Sequence, residues 1–354
     1  MSRSPVVSVL RTAATVLAAV TVTVAVTACG GGGKASSAAA ASASSGTSAS
    51  SAASPAAAGE PGIVAVTSAG ALVTLSPSTG VVEQTLVPSG VEGDEVSVAP
   101  SGLVYFAVQN GCTSTIESVP VGGGSVAVIV PGSLPAVSPD GTKLAYASQP
   151  SLTIGCVPTT TDLTALYQVK IRTLSSGTTI SLPPVPAKQD SGLPEPIFHL
   201  SWATDSQHLA VSIGQVEDNE GYEVLLVDTS RAQYYLDGTG VANVPVTGSP
   251  TPLQSYLREG VYMPNGDLFV SRACCAGDPP VNSSRLLWEV TTSGVLVHQV
   301  AIGFVSLDHT SLDVSSDGQW LLYLAGNDLY VSKGGATPSE LTTGLIAAAW
   351  VSLG

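Results

Sequence analysis

Charge and aromatic rings are both scarce in this chain of 354 residues, at 11% and 5% of the total. Only 12 residues are Lys or Arg against 26 Asp or Glu, a formal net charge of −14. So few cations cannot neutralise a phosphate backbone, which excludes nucleic acid as a partner. So little charge also excludes a coiled coil, whose flanking positions need it. The uncharged stretch Thr12 to Ala28 has 17 residues, short of the roughly 20 that a membrane-spanning helix requires. Missing too are His-Glu-x-x-His, Gly-x-Ser-x-Gly, a phosphate loop and a dinucleotide-type glycine fingerprint. No catalytic residue, cofactor or metal is therefore expected.

What is present begins with an address. Arg3 and Arg11 precede the apolar stretch, which ends in small residues; charged, then apolar, then small is the order of a secretory signal over residues 1–28. Val26-Thr27-Ala28-Cys29 resembles the bacterial lipobox, in which the cysteine is lipidated and becomes the first mature residue. A plain secretory signal with Cys29 as an ordinary thiol is the alternative. Gly30 to Gly59 holds only Gly, Ala, Ser and Thr besides one Lys and one Pro. It cannot bury enough apolar area to offset its conformational entropy, so residues 29–61 read as a disordered tether, with a reach of roughly 30 Å. Every acidic residue lies beyond Gly59, and loss of Arg3 and Arg11 leaves 10 basic residues against 26 acidic ones, a mature charge of −16. Anionic headgroups repel such a domain, so contact with the cell membrane is expected through the lipid alone, on its extracytoplasmic face.

From Gly62 onward, short alternating or Val/Leu-rich runs are punctuated by Gly, Pro, Ser and Asp, without a sustained period of 3.6. This is an all-β pattern. One unit recurs, most clearly as Ala136-Val137-Ser138-Pro139-Asp140-Gly141-Thr142-Lys143-Leu144-Ala145-Tyr146. Pro suits the first corner of a tight turn and Gly supplies a positive φ, so the unit reads as strand, turn, strand. Its cognates centre on Asp205 and Asp317, with weaker copies at Pro100-Ser101-Gly102 and Pro264-Asn265-Gly266. The aligned apolar residues are Val98, Val137, Trp202, Tyr262 and Val314, and Trp350 starts a sixth copy. A recurring unit of this kind signals a propeller or a solenoid.

The unit resembles the TolB-type propeller repeat, over about residues 62–354. The resemblance implies six four-stranded blades and interaction with a protein in the cell envelope. The sixth copy supplies one strand, and Ile63–Val66, Leu72–Leu75 and Glu83–Leu86 supply the three that would complete its blade. Closing the ring this way leaves no open seam, whereas a solenoid would leave both fragments unpaired. A monomer is expected.

Loop length separates the two rims. The Ser-Pro-Asp-Gly turns are short; the opposite rim receives Gln109–Ser114, Gln149–Asp162, Gly214–Gly221 and Ala273–Ser284 within blades, and Pro183–Pro196 and Asp237–Arg258 between them. Long loops in a compact domain are usually functional, so the binding surface is expected on that rim and the adjoining channel mouth. Gln149, Asp162, Glu217, Asp218, Glu220 and Asp278 are its candidate residues, with tolerated insertions as the plainer alternative. Cys112, Cys156, Cys274 and Cys275 are an even number in an oxidising setting, open to three pairings. Cys112 and Cys156 fall in equivalent loops of neighbouring blades and could staple them, leaving the adjacent Cys274 and Cys275 as a strained bridge or two thiols. Glu217-Asp218-Asn219-Glu220 offers oxygen ligands without the spacing of a calcium loop. His199, His208, His298 and His309 read as structural side chains, and Trp202, Trp288, Trp320 and Trp350 as packing between blades. The function these readings favour is a non-catalytic, lipid-anchored module that binds a protein or envelope polymer. A propeller lyase or hydrolase, or a small-ligand sensor, with its site at the channel mouth is the alternative.

Overall fold

The computed structural model describes residues 61–148, 168–183, 196–214, 223–231, 233–234, 257–272, 285–292, 295–302 and 311–351. All lie in the second of the two units into which the chain divides, Met1–Ala52 and Ala53–Gly354. They form six antiparallel sheets of four strands each. Sheet one orders β24 (Leu345–Val351), β1 (Gly62–Thr67), β2 (Leu72–Leu75) and β3 (Val82–Val87) from the inside out. Sheet two contains β4 (Val91–Val98), β5 (Leu103–Asn110), β6 (Thr113–Pro120) and β7 (Ala127–Pro131). Sheet three contains β8 (Ser133–Val137), β9 (Lys143–Ser148), β10 (Gln168–Thr173) and β11 (Thr179–Ser181). Sheet four contains β12 (Ile197–Trp202), β13 (His208–Ile213), β14 (Glu223–Asp228) and β15 (Gln233–Tyr234). Sheet five contains β16 (Leu257–Tyr262), β17 (Leu268–Arg272), β18 (Arg285–Val290) and β19 (Leu296–Ile302). Sheet six contains β20 (Leu312–Val314), β21 (Trp320–Ala325), β22 (Asp328–Lys333) and β23 (Ser339–Thr343). This is a six-bladed β-propeller, closed by one C-terminal strand against three N-terminal ones. The closing ladder runs from Gly62 opposite Val351 to Val66 opposite Ala347. Among the described residues no helix is long and apolar enough to cross a membrane.

The core is divided into six clusters, one in each interface between neighbouring blades. Val64, Val66 and Ala349 meet Val96, Val104 and Phe106 between blades one and two, and Val261 and Phe269 meet Leu321 and Tyr323 between blades five and six. The cause is the period of two: a strand buried on both faces carries apolar residues throughout, as the pattern iBBBBi of β1, β9 and β21 shows. Three tryptophans fill such interfaces: Trp202 between blades three and four, Trp288 between four and five, and Trp350 between six and one. Trp320 tilts against Trp350 with ring centroids 6.1 Å apart.

The inner strand of each blade has an edge that faces the channel and lacks a ladder partner. Side chains of the preceding blade satisfy part of it. The Val137 N–H donates to Ser97 Oγ at 2.9 Å, the Tyr262 N–H to Ser201 Oγ at 3.0 Å and the Trp350 N–H to Asp313 Oδ2 at 2.8 Å. All three acceptors stand one residue before the aligned apolar position, so the repeat itself places them. Each such bond stabilises by about 1 kcal/mol net, and losing it strands a buried donor.

The tight turns share one hydrogen bond, from the N–H of the fourth residue to the carbonyl of the first, in Ala99–Gly102, Ser138–Gly141, Ala203–Ser206, Met263–Gly266 and Ser315–Gly318. The fourth residue has positive φ in each, including the non-glycine Ser206 at 54°. Asp140 Oδ1 accepts from Ser138 Oγ at 2.6 Å and from the Thr142 N–H at 2.9 Å, and Asp317 Oδ1 repeats this with Ser315 Oγ and the Gln319 N–H. The aspartates of the repeat therefore lock turns. One expected long loop is corrected: Gln109–Ser114 is a two-residue hairpin, with Asn110 paired to Thr113. Gly111 takes a φ of 64° at its first central position, which lets β5 and β6 run on to the tip.

Candidate functional site

The six inner strands converge on a cavity of about 400 Å³. Its walls include Ser97, Val137, Trp202, Tyr262, Val314 and Trp350, one residue from each blade, and it reaches the tight turns at Pro100, Pro139, Thr204, Pro264 and Ser316. This is the rim opposite the one on which the sequence places the long loops. Glu95 and His199 line the end remote from the turns, and Asp313, two residues nearer the turn along its own strand, also reaches the wall. No Lys or Arg is among the described lining residues. A volume of this size falls within the roughly 300–1,000 Å³ of ligand pockets.

The deep end is a polar layer in an otherwise apolar ring. His199 Nδ1 lies 3.0 Å from Glu95 Oε1, and both side chains are only 11% exposed. The pair joins β4 of blade two to β12 of blade four across the channel, past blade three. Glu259 on β16 is buried in the same layer, and Asp313 on β20 completes it. Burial alone would push the His199 imidazole down, but Glu95, with Glu259 and Asp313 further off, outweighs it and holds His199 at about 9. Burial pushes the Asp313 carboxyl up to about 6, against the pull of the Trp350 and Val314 N–H groups and of His199. At neutral pH His199 therefore favours its protonated form beside Glu95.

None of these four residues stood out in the sequence as part of a site. His199 was expected as a structural side chain at a strand end and lies instead within β12, in the channel. A signal was available: Glu95, His199 and Glu259 each stand three residues before the aligned Val98, Trp202 and Tyr262. Charge at an inner-strand position recurring in three blades marks the channel. Of the other histidines, His208 binds Asp205 of its own turn and is 37% exposed, and His298 is more exposed still. Cys112 sits in the hairpin tip of blade two. Residues 1–60, and with them Cys29 and the tether, lie outside the described residues, as do Gln149, Cys156, Asp162, Glu217, Asp218, Glu220, Cys274, Cys275, Asp278 and His309. Among the described residues no group of three or more His, Cys, Asp or Glu is arranged to hold a metal ion.

No protein-family profile matches the sequence, and no curated protein matches it. Solved structures do. TolB from Acinetobacter baumannii aligns with a TM-score of 0.53 at 14% identity, over 82% of this chain and 66% of that one. The chain thus spans just under two thirds of that TolB's length. Hydrazine synthase from Kuenenia stuttgartiensis aligns at 0.46 with 12% identity, over 76% and 75% of the two chains. The propeller domain of the trilobed protease from Pyrococcus furiosus aligns at 0.40 with 14% identity, over 69% of each. The protein is a six-bladed propeller structurally similar to TolB. At such identities the likeness defines the fold alone.

Proposed function

We propose that this chain is an extracytoplasmic binding propeller, held to the cell membrane by a lipid on Cys29, that receives its ligand in the channel cavity. A small molecule, or a group projecting from a protein or envelope polymer, would enter past the tight turns. The observation that carries this reading is the cavity itself, lined by all six blades and ending in the Glu95–His199–Asp313 layer. His199, whose protonated form Glu95 favours, supplies a polar, charge-bearing group at the closed end of an otherwise largely apolar cavity. Aromatic and hydroxyl groups around a charged end are the usual makings of a specific small-ligand site. The lipid anchor rests on the lipobox-like Val26–Cys29 and on the tether that follows it.

Thr204 and Ser316 are exposed at the mouth, so Thr204→Trp with Ser316→Trp should obstruct entry without disturbing the fold. Capture of an envelope component by the wild-type chain, lost in this double variant and kept when Glu217, Asp218 and Glu220 are changed to Ser, is the expected result. Capture that survives the obstruction and fails in the loop variant would return the binding surface to the long-loop rim.

A further inference from the structure

Hydrogen-bond donors are left over in the cavity wall, and the register of the repeat explains which. In blades two to six the residue after the aligned position donates its N–H across the tight turn, as Ala99 does to the Leu103 carbonyl and Ala203 to the His208 carbonyl. Bonded and non-bonded pairs alternate along an antiparallel ladder, so the aligned residue itself turns its N–H away from its partner strand and toward the channel. Side chains answer most of these groups. The N–H groups of Val137, Tyr262 and Trp350 meet Ser97, Ser201 and Asp313 of the preceding blade, and that of Val314 meets Asp313 Oδ1 of its own strand at 2.8 Å. Among the described residues, the N–H groups of Val98 and Trp202 meet no acceptor. The residues that would supply one are Ala349 and Ala136, which have none to offer. The hydroxyls of Ser97 and Ser201 add two more donors: each accepts one N–H and keeps its own hydrogen, for which no acceptor stands among the described residues. Asp313 supplies the opposite function, since a carboxylate oxygen that takes the Trp350 N–H has room for a second donor. All of these residues line the cavity. At this height the wall alternates, with Ser97, Ser201 and Asp313 from blades two, four and six, and Ala136, Val261 and Ala349 from blades three, five and one.

We propose that the cavity binds an uncharged ligand with several hydroxyl groups, of the sugar or polyol class. Its oxygens take the hydrogens of Val98, Trp202, Ser97 and Ser201, and one of its hydroxyls donates to Asp313. This deepens the reading of the cavity as the ligand site and rests on it. A hydroxyl both donates and accepts, so one functional group answers every open position of the ring. An ammonium group cannot accept, and a carboxylate or an ether cannot donate. Whatever fills the cavity must also reproduce the hydrogen bonds of the water it displaces, which selects an oxygen-rich ligand over an apolar one. The alternation suits a sugar in shape as well, because its ring carries hydroxyls at the edge and apolar C–H groups on the faces. Val137, Val261 and Tyr262, with Pro139 and Pro264 nearer the mouth, give those faces apolar partners. None of these contacts depends on the charge of the deeper Glu95–His199 pair.

The test is calorimetry on the full chain in detergent, with glucose, mannose, galactose and myo-inositol as probes. Cyclohexanol, tetramethylammonium and acetate are the controls, carrying a lone hydroxyl, a cation and an anion. At least one probe is expected to bind and the controls not, with an affinity unchanged between about 0.05 and about 0.5 M salt. Monodeoxy analogues of the probe that binds should lose about tenfold or more at the hydroxyls the ring holds. Ser201→Ala, checked for a native circular dichroism spectrum, should weaken binding about tenfold. If that variant does not fold, the deoxy series on the wild-type chain decides alone. A disaccharide ending in the sugar that binds distinguishes the sources: its exclusion assigns a free sugar, and its binding the end of a glycan chain. No binding of any probe up to about 50 mM, equal binding of cyclohexanol, or deoxy analogues that all bind as well as the parent would overturn the proposal. Binding of a control that Thr204→Trp with Ser316→Trp abolishes, without binding of a probe, would refute the polyol while leaving the cavity as the site. Sugar binding that survives this obstruction would refute the cavity.

Discussion

Raising the pH from about 6.5 to about 9.5 should weaken the fold through one residue, His199. Its imidazole has a folded value of about 9 against 6.5 for the free side chain. A group whose value is raised by folding stabilises fully below its unfolded value, and loses that contribution as pH climbs through the folded one. The interval corresponds to about 3 kcal/mol, lost between roughly pH 6.5 and pH 9.5. Asp313 acts in the same direction but lower down. Its neutral form is favoured by burial, so its contribution is present below 3.8 and gone above about 6, outside the window measured. Tyr323, whose phenol burial pushes up, acts above it. The assay is urea denaturation of the lipid-free chain at several pH values, with His199→Gln as comparison. Gln can still donate to Glu95 but does not titrate. The wild type should lose about 3 kcal/mol across the window, while the variant is less stable at its lower end and nearly flat. Parallel pH profiles for the two proteins would refute the reasoning, because His199 would then not be the group that holds the proton.

Ser206 takes the left-handed conformation that glycine takes in the other turns, and its hydroxyl accepts the Asp140 N–H at 3.1 Å. Ser206→Ala should therefore cost about 1 kcal/mol, whereas Ser206→Gly loses the same bond but relieves about as much strain; thermal unfolding separates the two. A Cβ on Gly260 would lie 2.6 Å from Val224 Cγ1 of the neighbouring blade, so Gly260→Ala should destabilise by about 1–3 kcal/mol, read from the denaturation midpoint. Non-reducing peptide mapping is expected to find Cys112 joined to Cys156; Cys112 linked to Cys274 or Cys275 would remove the blade-to-blade staple. Cys29→Ala should move the protein from the membrane to the soluble fraction, and unchanged membrane retention would refute the lipid anchor.

The blades were legible because a repeat states its turn and its strand in adjacent residues. Ser138-Pro139-Asp140-Gly141 followed by Leu144-Ala145-Tyr146 is enough to place a hairpin, and the hydrogen bonds of Asp140 and Asp317 explain why those residues recur. The closure was legible for the same reason, since one unmatched inner strand and three unmatched outer ones have a single economical arrangement. The candidate site was not. A propeller turns sequence position into angle, so residues that meet in the channel come once per blade and never stand near each other in the chain. Glu95 and His199 touch across a whole intervening blade, and nothing local to either names the other. Asp313 hides for a further reason: it does the same backbone-accepting work as Ser97 and Ser201, and its register alone does not distinguish a charged acceptor from a hydroxyl.

The ladder between Gly62–Val66 and Ala347–Val351 also sets a schedule. Strands β1 to β3 leave the ribosome first, and the strand that completes their blade is made after the five intervening blades. At about 5–20 residues per second the delay is roughly 15–60 s. Throughout that interval β1 presents a bare inner edge of buried-type residues, Ile63 to Val66, to any strand in reach, and the nearest are those of other incomplete copies. The geometry that makes the finished ring seamless thus leaves the nascent one open at its oldest point. A cell making this protein must keep the waiting strands covered or unfolded until the last residues arrive.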